Sequence, residues 1–369
     1  VPMNFVVERN EILTRLEAVS GAAASKTVKP ILSGIYFSVK GESIVQLTAT
    51  DLETAIKTEV KAKHIDGQDG FVVDAKVALE IVRNLPEGEI IFEIEETNLI
   101  IRAGKSRFTL PTMDPEEFPN VETTTGGVEF VVSVSAIELM IDRVIFCAAR
   151  DEFMRNLNGV YWEFEGGFLR LVAADGFRMA LAEERIDVSV DDHFLLTLKS
   201  MRDLQNSMKS AMSDEMKIVY DGSRVGFYFD GTEMVSKVVD AEFPDYKRVL
   251  PKSLKSRVRL YTSNLSDAVR RASIAARLGS DSVKLDIKDE LFRIIARSPD
   301  HGEAIEEIEG KKEGDNLVIA FNPRFLSESL RKIDTEEVEL NFVDSNSPLQ
   351  INPIDVQGYT YIIMPIRLI

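Results

Sequence analysis

The motif Glu-Phe-Pro occurs twice, at Glu117–Pro119 and Glu242–Pro244, so that Phe118 and Phe243 stand 125 residues apart. Three matching letters would mean little alone, but other marks keep the interval. Asp51, Asp175 and Asp300 each follow a strand-like run, and Lys76, Lys199 and Arg324 each lead into a helical pattern, at steps of 123 to 125 residues. "FVVERNEILTRLEAVSGAAAS" from Phe5 is echoed by "FVVSVSAIELMIDRVIFCAAR" from Phe130 and, more faintly, by "RLYTSNLSDAVRRASIAAR" from Arg259. Solenoid repeats run roughly 20–50 residues, so a period this long means duplicated whole domains.

Each copy reads as a short strand entering an amphipathic helix, then strands, a second helix and closing strands. In the first copy Ile12, Leu13, Leu16 and Val19 form an apolar stripe at helical spacing. The closing stretches, such as "EIIFEIEETNLIIRAGKSRFTL", alternate with a period of two, as suits a sheet with one buried face. The expected fold is therefore α+β: three repeated domains, 1–125, 126–254 and 255–369, each with two helices against antiparallel sheets.

A net charge of −17 argues against a protein that coats nucleic acid with its whole surface, since phosphate binding needs Lys and Arg, yet it leaves room for a locally basic face. The helices supply one. Arg143 and Arg150 are seven apart, placing both on one face of the middle copy's first helix, and Arg270 and Arg277 repeat the pair in the third. The first copy has Ala18, Ser25 and then Lys26. On the second helices Lys76 with Arg83, and Arg324 with Arg331, keep the same spacing, and the middle copy offers Lys199, Arg202 and Lys209. A solvated face is the usual fate of such charges. Their recurrence favours a shared role, with the acid expected in strands and turns such as "EIEET" and "DPEEF".

Catalytic patterns are missing. His64, His193 and His301 are scattered without metal-ligand spacing, and no phosphate-cradling G-x-x-x-x-G-K-[ST] loop occurs. Cys147, the one cysteine, reads as a packed small hydrophobe and precludes an internal disulfide. With no secretory signal and no apolar run long enough to span a bilayer, a cytoplasmic location is expected. Two other readings compete with DNA binding by a basic helix face: a nuclease or hydrolase holding a metal at Asp51, Asp175 or Asp300, and a scaffold that does not bind DNA.

Taken together, "KPILSGIYF", "TATDLETAI", "GKSRFTLPTMDPEEFPN", "LNGVYWEF", "VAADGFRMA", "SKVVDAEFPDYKRVLP", "FNPRFLSESL" and the terminal "YIIMPIRL" resemble the bacterial sliding clamp, the beta subunit of the replicative DNA polymerase. The resemblance implies a DNA clamp fold, in which each chain is half of a closed, head-to-tail homodimeric ring with helices lining a hole for duplex DNA. It implies a non-catalytic processivity factor without cofactor or metal, which holds DNA regardless of sequence. Its partners would be the polymerase catalytic subunit, the clamp loader and other proteins carrying a short clamp-binding motif. By family position Lys26, Lys76, Lys105, Lys199 and Arg324 are expected DNA contacts, beside Arg83, Arg143, Arg150, Arg202, Arg270 and Arg277. The partner groove would map to Leu157, Gly176, Phe177, Arg178, Met179, Pro244, Arg248, Val249, Ile362, Met364, Pro365, Ile366 and Arg367, and the dimer interface to Phe108, Leu110 and Ile274. The second Glu-Phe-Pro would thus place Pro244 in the groove, while the first is a structural corner. Ala75, Ala174, Phe177, Ala275 and the extra Ile369 depart from family patterns.

Overall fold

The period seen in the sequence reappears as element order. The structure, a computed structural model, describes residues 1–367; the tail-extending Ile369 lies outside them. The described residues form six α-helices: α1 (Arg9–Ser20), α2 (Ala75–Asn84), α3 (Val134–Val144), α4 (Leu198–Met208), α5 (Thr262–Arg277) and α6 (Pro323–Leu330). Each third of the chain has the same plan. A strand runs directly into a helix, further strands follow, a second helix comes next, and three strands close. Ile12, Leu16 and Val19 of α1 are fully buried, as the stripe predicts, and Leu13 is half-buried. Capping is local where the sequence allows it: Asp74 accepts from the Val77 N–H to start α2, and Asn322, ahead of Pro323, accepts from the Arg324 N–H to start α6.

The Glu-Phe-Pro repeat has a packing explanation. Phe118 lies 5.4 Å from the ring of Tyr36 beside Ile31, Leu32 and Val72. Phe243 stacks on Tyr161 at 4.7 Å, and Tyr36 and Tyr161 are themselves 125 residues apart. Two residues earlier, Gly34 and Gly159 begin equivalent strands, paired with Asp74 and Thr197. A Cβ at Gly159 would sit 2.0 Å from the Leu196 carbonyl oxygen, and one at Gly34 would sit 2.4 Å from Cγ1 of Val72. Both copies therefore need the smallest residue where these strands cross.

The strands form four antiparallel sheets, and the chain folds into two compact units that do not follow the thirds. One unit comprises residues 1–138, 186–190 and 199–239, with a five-stranded and an eight-stranded sheet. In its eight-stranded sheet, Thr232–Lys237 from the middle third pairs with Thr54–Lys61 from the first, Thr232 opposite Thr58 and Ser236 opposite Thr54. Their buried hydroxyls bond across the join: Thr58 to Thr232 at 2.8 Å, and Thr54 to Ser200 at 2.9 Å, which in turn reaches Ser236 at 3.0 Å. Stacked Phe5, Phe37, Phe71 and Phe92 fill the apolar interior. The second unit comprises residues 139–185, 191–198 and 240–369, with a nine-stranded and a four-stranded sheet. There Arg178–Arg185 of the middle third pairs with Tyr359–Ile363 of the last, Met179 opposite Ile362 and Leu181 opposite Thr360. Trp162, fully buried, stacks on Phe194 at 5.5 Å.

Lys199 is tied into the first unit. Its ammonium donates to Asp203 at 2.7 Å, lies 2.9 Å from Asp51, and donates to the Gly21 carbonyl at 3.0 Å. Burial opposes its charge, but Asp203 and Asp51 outweigh burial and hold its pKa above the ordinary lysine value. Burial also pushes Asp203 from 3.8 to about 6, against the pull of Lys199. A carboxyl that binds its proton more tightly folded than unfolded loses its stabilising contribution as pH rises from roughly 4 to 6. Asp203→Asn lacks that slope. Its unfolding free energy relative to the parent should therefore rise over this window and level off above it, measured by denaturant titration at several pH values; a flat difference would contradict the assignment.

Candidate functional site

The helix cations divide by what already engages them. Lys76 and Arg83 on α2, Arg202 on α4, Arg270 and Arg277 on α5 and Arg324 at the start of α6 are exposed, as is Lys26 in the loop after α1. Within that group Arg83 pairs with Glu17 at 3.5 Å, Arg270 with Asp267 at 2.9 Å, and Arg324 lies 3.9 Å from Glu328. Lys105 is exposed at the turn before Ser106–Pro111. Lys199 is committed to its two aspartates, and the Arg143 guanidinium sits 3.4 Å over the ring of Tyr359.

Arg150 corrects the spacing argument. Helix α3 ends at Val144, a 3-10 turn occupies Ile145–Cys147, and the Ala149 N–H bonds to the Leu157 carbonyl, so Arg143 and Arg150 share no helix face. The cause is packing: Cys147 is buried, its thiol pKa raised by burial, and Phe146 packs 5.8 Å from Tyr361. The longer α5 keeps Arg270 and Arg277 within one helix. Acid is not confined to strands and turns either, since Glu11 and Glu17 on α1 and Glu138 and Asp142 on α3 are exposed.

The residues expected in the partner groove all lie in the second unit. Asp175 closes a tight turn by accepting from the Phe177 and Arg178 N–H groups at 3.0 Å, with Gly176 at φ +91°. This leaves Phe177 65% exposed at the tip while Arg178 is turned inward. Arg178 is a buried strut rather than a rim charge. It pairs with Glu328, donates to Asp175 at 3.1 Å and to the Phe146 carbonyl at 3.2 Å, and lies 4.6 Å over Phe325. Burial opposes its charge, but the Glu328 hydrogen bond and neighbouring carboxylates raise its pKa further. Sequence reading missed these supports; Asp175 could have been found from its recurrence, whereas nothing local marks Glu328.

Met179, Ile362 and Leu157 are buried, while Val249, Met364 and Ile366 each leave over a third of their surface exposed. Met364 donates its N–H to the Phe177 carbonyl at 2.9 Å, and Ile366 donates to Ala320 at 2.8 Å, so this apolar tail is pinned at two points. Gly176, Pro244, Arg248 and Arg367 are exposed and Pro365 half-buried; Arg248 pairs with Asp245 at 3.0 Å. An apolar floor beside exposed Met and Phe side chains is chemistry that receives short peptides.

The expected interface residues sit on sheet edges and an exposed helix face. Ser106–Pro111, with Phe108 40% exposed and Leu110 half-buried, is the outer strand of the five-stranded sheet. In the other unit Gly302–Glu309 is an edge strand, with Ile305 53% exposed, and packs with α5, where Ile274 is 55% exposed. Asp51 and Asp175 each bond their own turn, and among the described residues no three His, Cys, Asp or Glu side chains gather in a group that could hold a metal. No helix among them is long and apolar enough to cross a membrane.

Residues 3–122, 131–245 and 247–367 match, in turn, the N-terminal, central and C-terminal domains of the DNA polymerase III beta subunit. The beta sliding clamp of Pseudomonas aeruginosa is 31% identical over 369 residues, which cover 99% of this chain and 100% of the relative. Among solved structures, the DNA polymerase III beta subunit of Thermotoga maritima superposes with a TM-score of 0.95 at 46% identity, covering 100% of both chains. A Pseudomonas aeruginosa sliding clamp bound to griselimycin superposes at 0.93 with 31% identity, again over 100% of both. With consecutive matches to all three domains and similarity along essentially its whole length, the chain belongs to the DNA polymerase III beta subunit family.

Proposed function

We propose that this protein is a DNA sliding clamp, a non-catalytic processivity factor that encircles duplex DNA and tethers replication and repair proteins through the groove on its second unit. One observation carries the reading. In a chain of net charge −17, a helix pair recurs in every third, and each pair presents an exposed cation, Lys76, Arg202, Arg277 or Arg324 among them. A sliding ring needs such diffuse, sequence-independent phosphate contacts and nothing tighter. Closure would come from two copies meeting head to tail, Ser106–Pro111 of one against Gly302–Glu309 of the other, two edges with open backbone positions and exposed apolar side chains. The partners expected at the groove are the polymerase catalytic subunit, the clamp loader and other motif-bearing proteins, held at raised local concentration. The domain boundaries near residues 125 and 254 follow from the same repeat.

Sedimentation should give the mass of a dimer, and loaded protein should be retained on nicked circular DNA but run off the linear form. Ile274→Asp should weaken the dimer tenfold or more, roughly the cost of losing an interface anchor, and abolish retention. A tight dimer in that variant would exclude this edge.

Replacing Lys76, Arg202, Arg277 and Arg324 together with alanine should weaken DNA association without altering sequence preference. The slope of log K against log salt should flatten by roughly 0.9 for each phosphate that the variant no longer neutralises. An unchanged slope would place the DNA elsewhere.

Deleting residues from Met364 onward removes the hydrogen bonds to Phe177 and Ala320 but leaves Tyr359–Ile363 in its sheet. The truncated protein should remain dimeric and lose binding of a motif peptide from the cognate polymerase, read by fluorescence anisotropy. Undiminished affinity would refute the groove.

A further inference from the structure

We propose that a cavity adjoining the groove is a second peptide subsite, which takes an extended flank of the bound partner segment carrying one aliphatic and one basic side chain. The inference rests on the groove reading above. Phe146 and Arg143 contact Tyr361 and Tyr359, marking one face of the nine-stranded sheet. Side chains alternate along a strand, so Ile362 and Thr360 occupy the opposite face, with Met179 and Leu181 beside them and Gln350 across from Ile362. Met179 and Ile362 belong to the groove. Leu181 and Thr360, one side-chain step further along the same strands and roughly 7 Å away, belong to a cavity of about 720 Å³.

This cavity lies against the loop that carries the groove residues Pro244, Arg248 and Val249, because Tyr246, Lys247, Leu250 and Pro251 line it. Val356 to Gly358 also line it, with the Glu183 N–H bonded to the Gly358 carbonyl at 2.6 Å. Its chemistry suits a peptide in extended form. The Asn352 amide is fully engaged, accepting from Gln350 at 2.8 Å and Asn341 at 3.3 Å and donating to Thr360 at 3.0 Å and the Tyr359 carbonyl at 3.3 Å. It thereby fixes Gln350 and Thr360, whose remaining amide and hydroxyl groups face a main chain as donor and acceptor. Leu181, Leu250, Pro251 and Val356 provide apolar surface for one aliphatic side chain.

At one end three carboxylates meet two cations. Arg170 pairs with Glu183 at 2.5 Å, Glu163 at 3.2 Å and Glu165 at 3.5 Å, and Lys247 pairs with Glu165 at 2.6 Å. Tyr246 donates its hydroxyl to Glu163 at 2.6 Å. Glu165, Glu183, Arg170 and Lys247 line the cavity and Glu163 does not, but the five groups together carry one net negative charge, which favours a Lys or Arg in the flank over an acid.

The test uses the full chain and fluorescence anisotropy with the polymerase motif peptide as a bare core. The same core is also extended by six residues containing Leu and Lys at its N-terminal or its C-terminal end. One extension should bind about tenfold tighter than the core. That gain should vanish when the flanking Lys becomes Glu, and also in Val356→Lys, a change at an exposed position that should leave core affinity unaltered. Equal binding of core and both extensions overturns the subsite while leaving the groove intact, as does an equal loss for core and extended peptides in Val356→Lys. Failure of the core itself to bind the parent protein removes the groove, and the subsite with it.

Discussion

The antiparallel joins between thirds are the constraint on which the rest of the structure depends. A strand edge gains hydrogen bonds by pairing with a neighbour, and in this chain the middle third finds one on each side: Thr232–Lys237 against Thr54–Lys61, and Arg178–Arg185 against Tyr359–Ile363. These pairings make the eight- and nine-stranded sheets continuous across repeat boundaries. They also explain why the compact units cut through the middle third although the sequence repeats in three. The buried Thr58–Thr232 and Thr54–Ser200–Ser236 hydroxyls make the first join specific in register, since slipping one residue would turn them to the other face and leave polar groups unpaired.

The proposed groove follows from the second join. Met179 and Ile362 are neighbours only because strands from different thirds pair, and Met364 is held at Phe177 because the tail continues that pairing beyond the last sheet residue. Arg178 stabilises the same corner from the opposite face, with its charge held by Glu328 and Asp175. A buried arginine with satisfied hydrogen bonds orients the Asp175–Arg178 turn, and the exposed ring of Phe177 is the consequence. Because the turn that projects Phe177 is braced in this way, a peptide docking there, as proposed, would meet a surface already ordered, at a lower ordering cost.

Electrostatics separates residues that look equivalent by position. Lys199 and Arg202 are three positions apart on one helix, but the first is bound by two aspartates and a carbonyl while the second is exposed. Arg143 and Arg277 occupy related helices of the repeat, but one stacks on a tyrosine and the other ends a helix in solvent. A phosphate contact needs a cation whose field is not already offset, so only some members of the repeated pattern can serve.

The sequence by itself determined the triplication, the strand–helix order of each copy, the buried stripe of α1 and the recurrence of Glu-Phe-Pro, whose partner tyrosine 82 residues upstream in each copy the structure identified. These depend on local periodicity or on packing that each copy repeats within itself. Tertiary structure alone decided which thirds share a sheet, where α3 stops, and which basic residues are occupied. Sheet pairing joins residues far apart in the chain, and the partners of Lys199 and Arg178 come from elements distant in sequence, as Asp51 and Glu328 show. Helix spacing could not reveal that Arg150 leaves the helix, because what accompanies the end of α3 is the burial of Cys147 and the packing of half-buried Phe146 on Tyr361, a contact across more than 200 residues of chain.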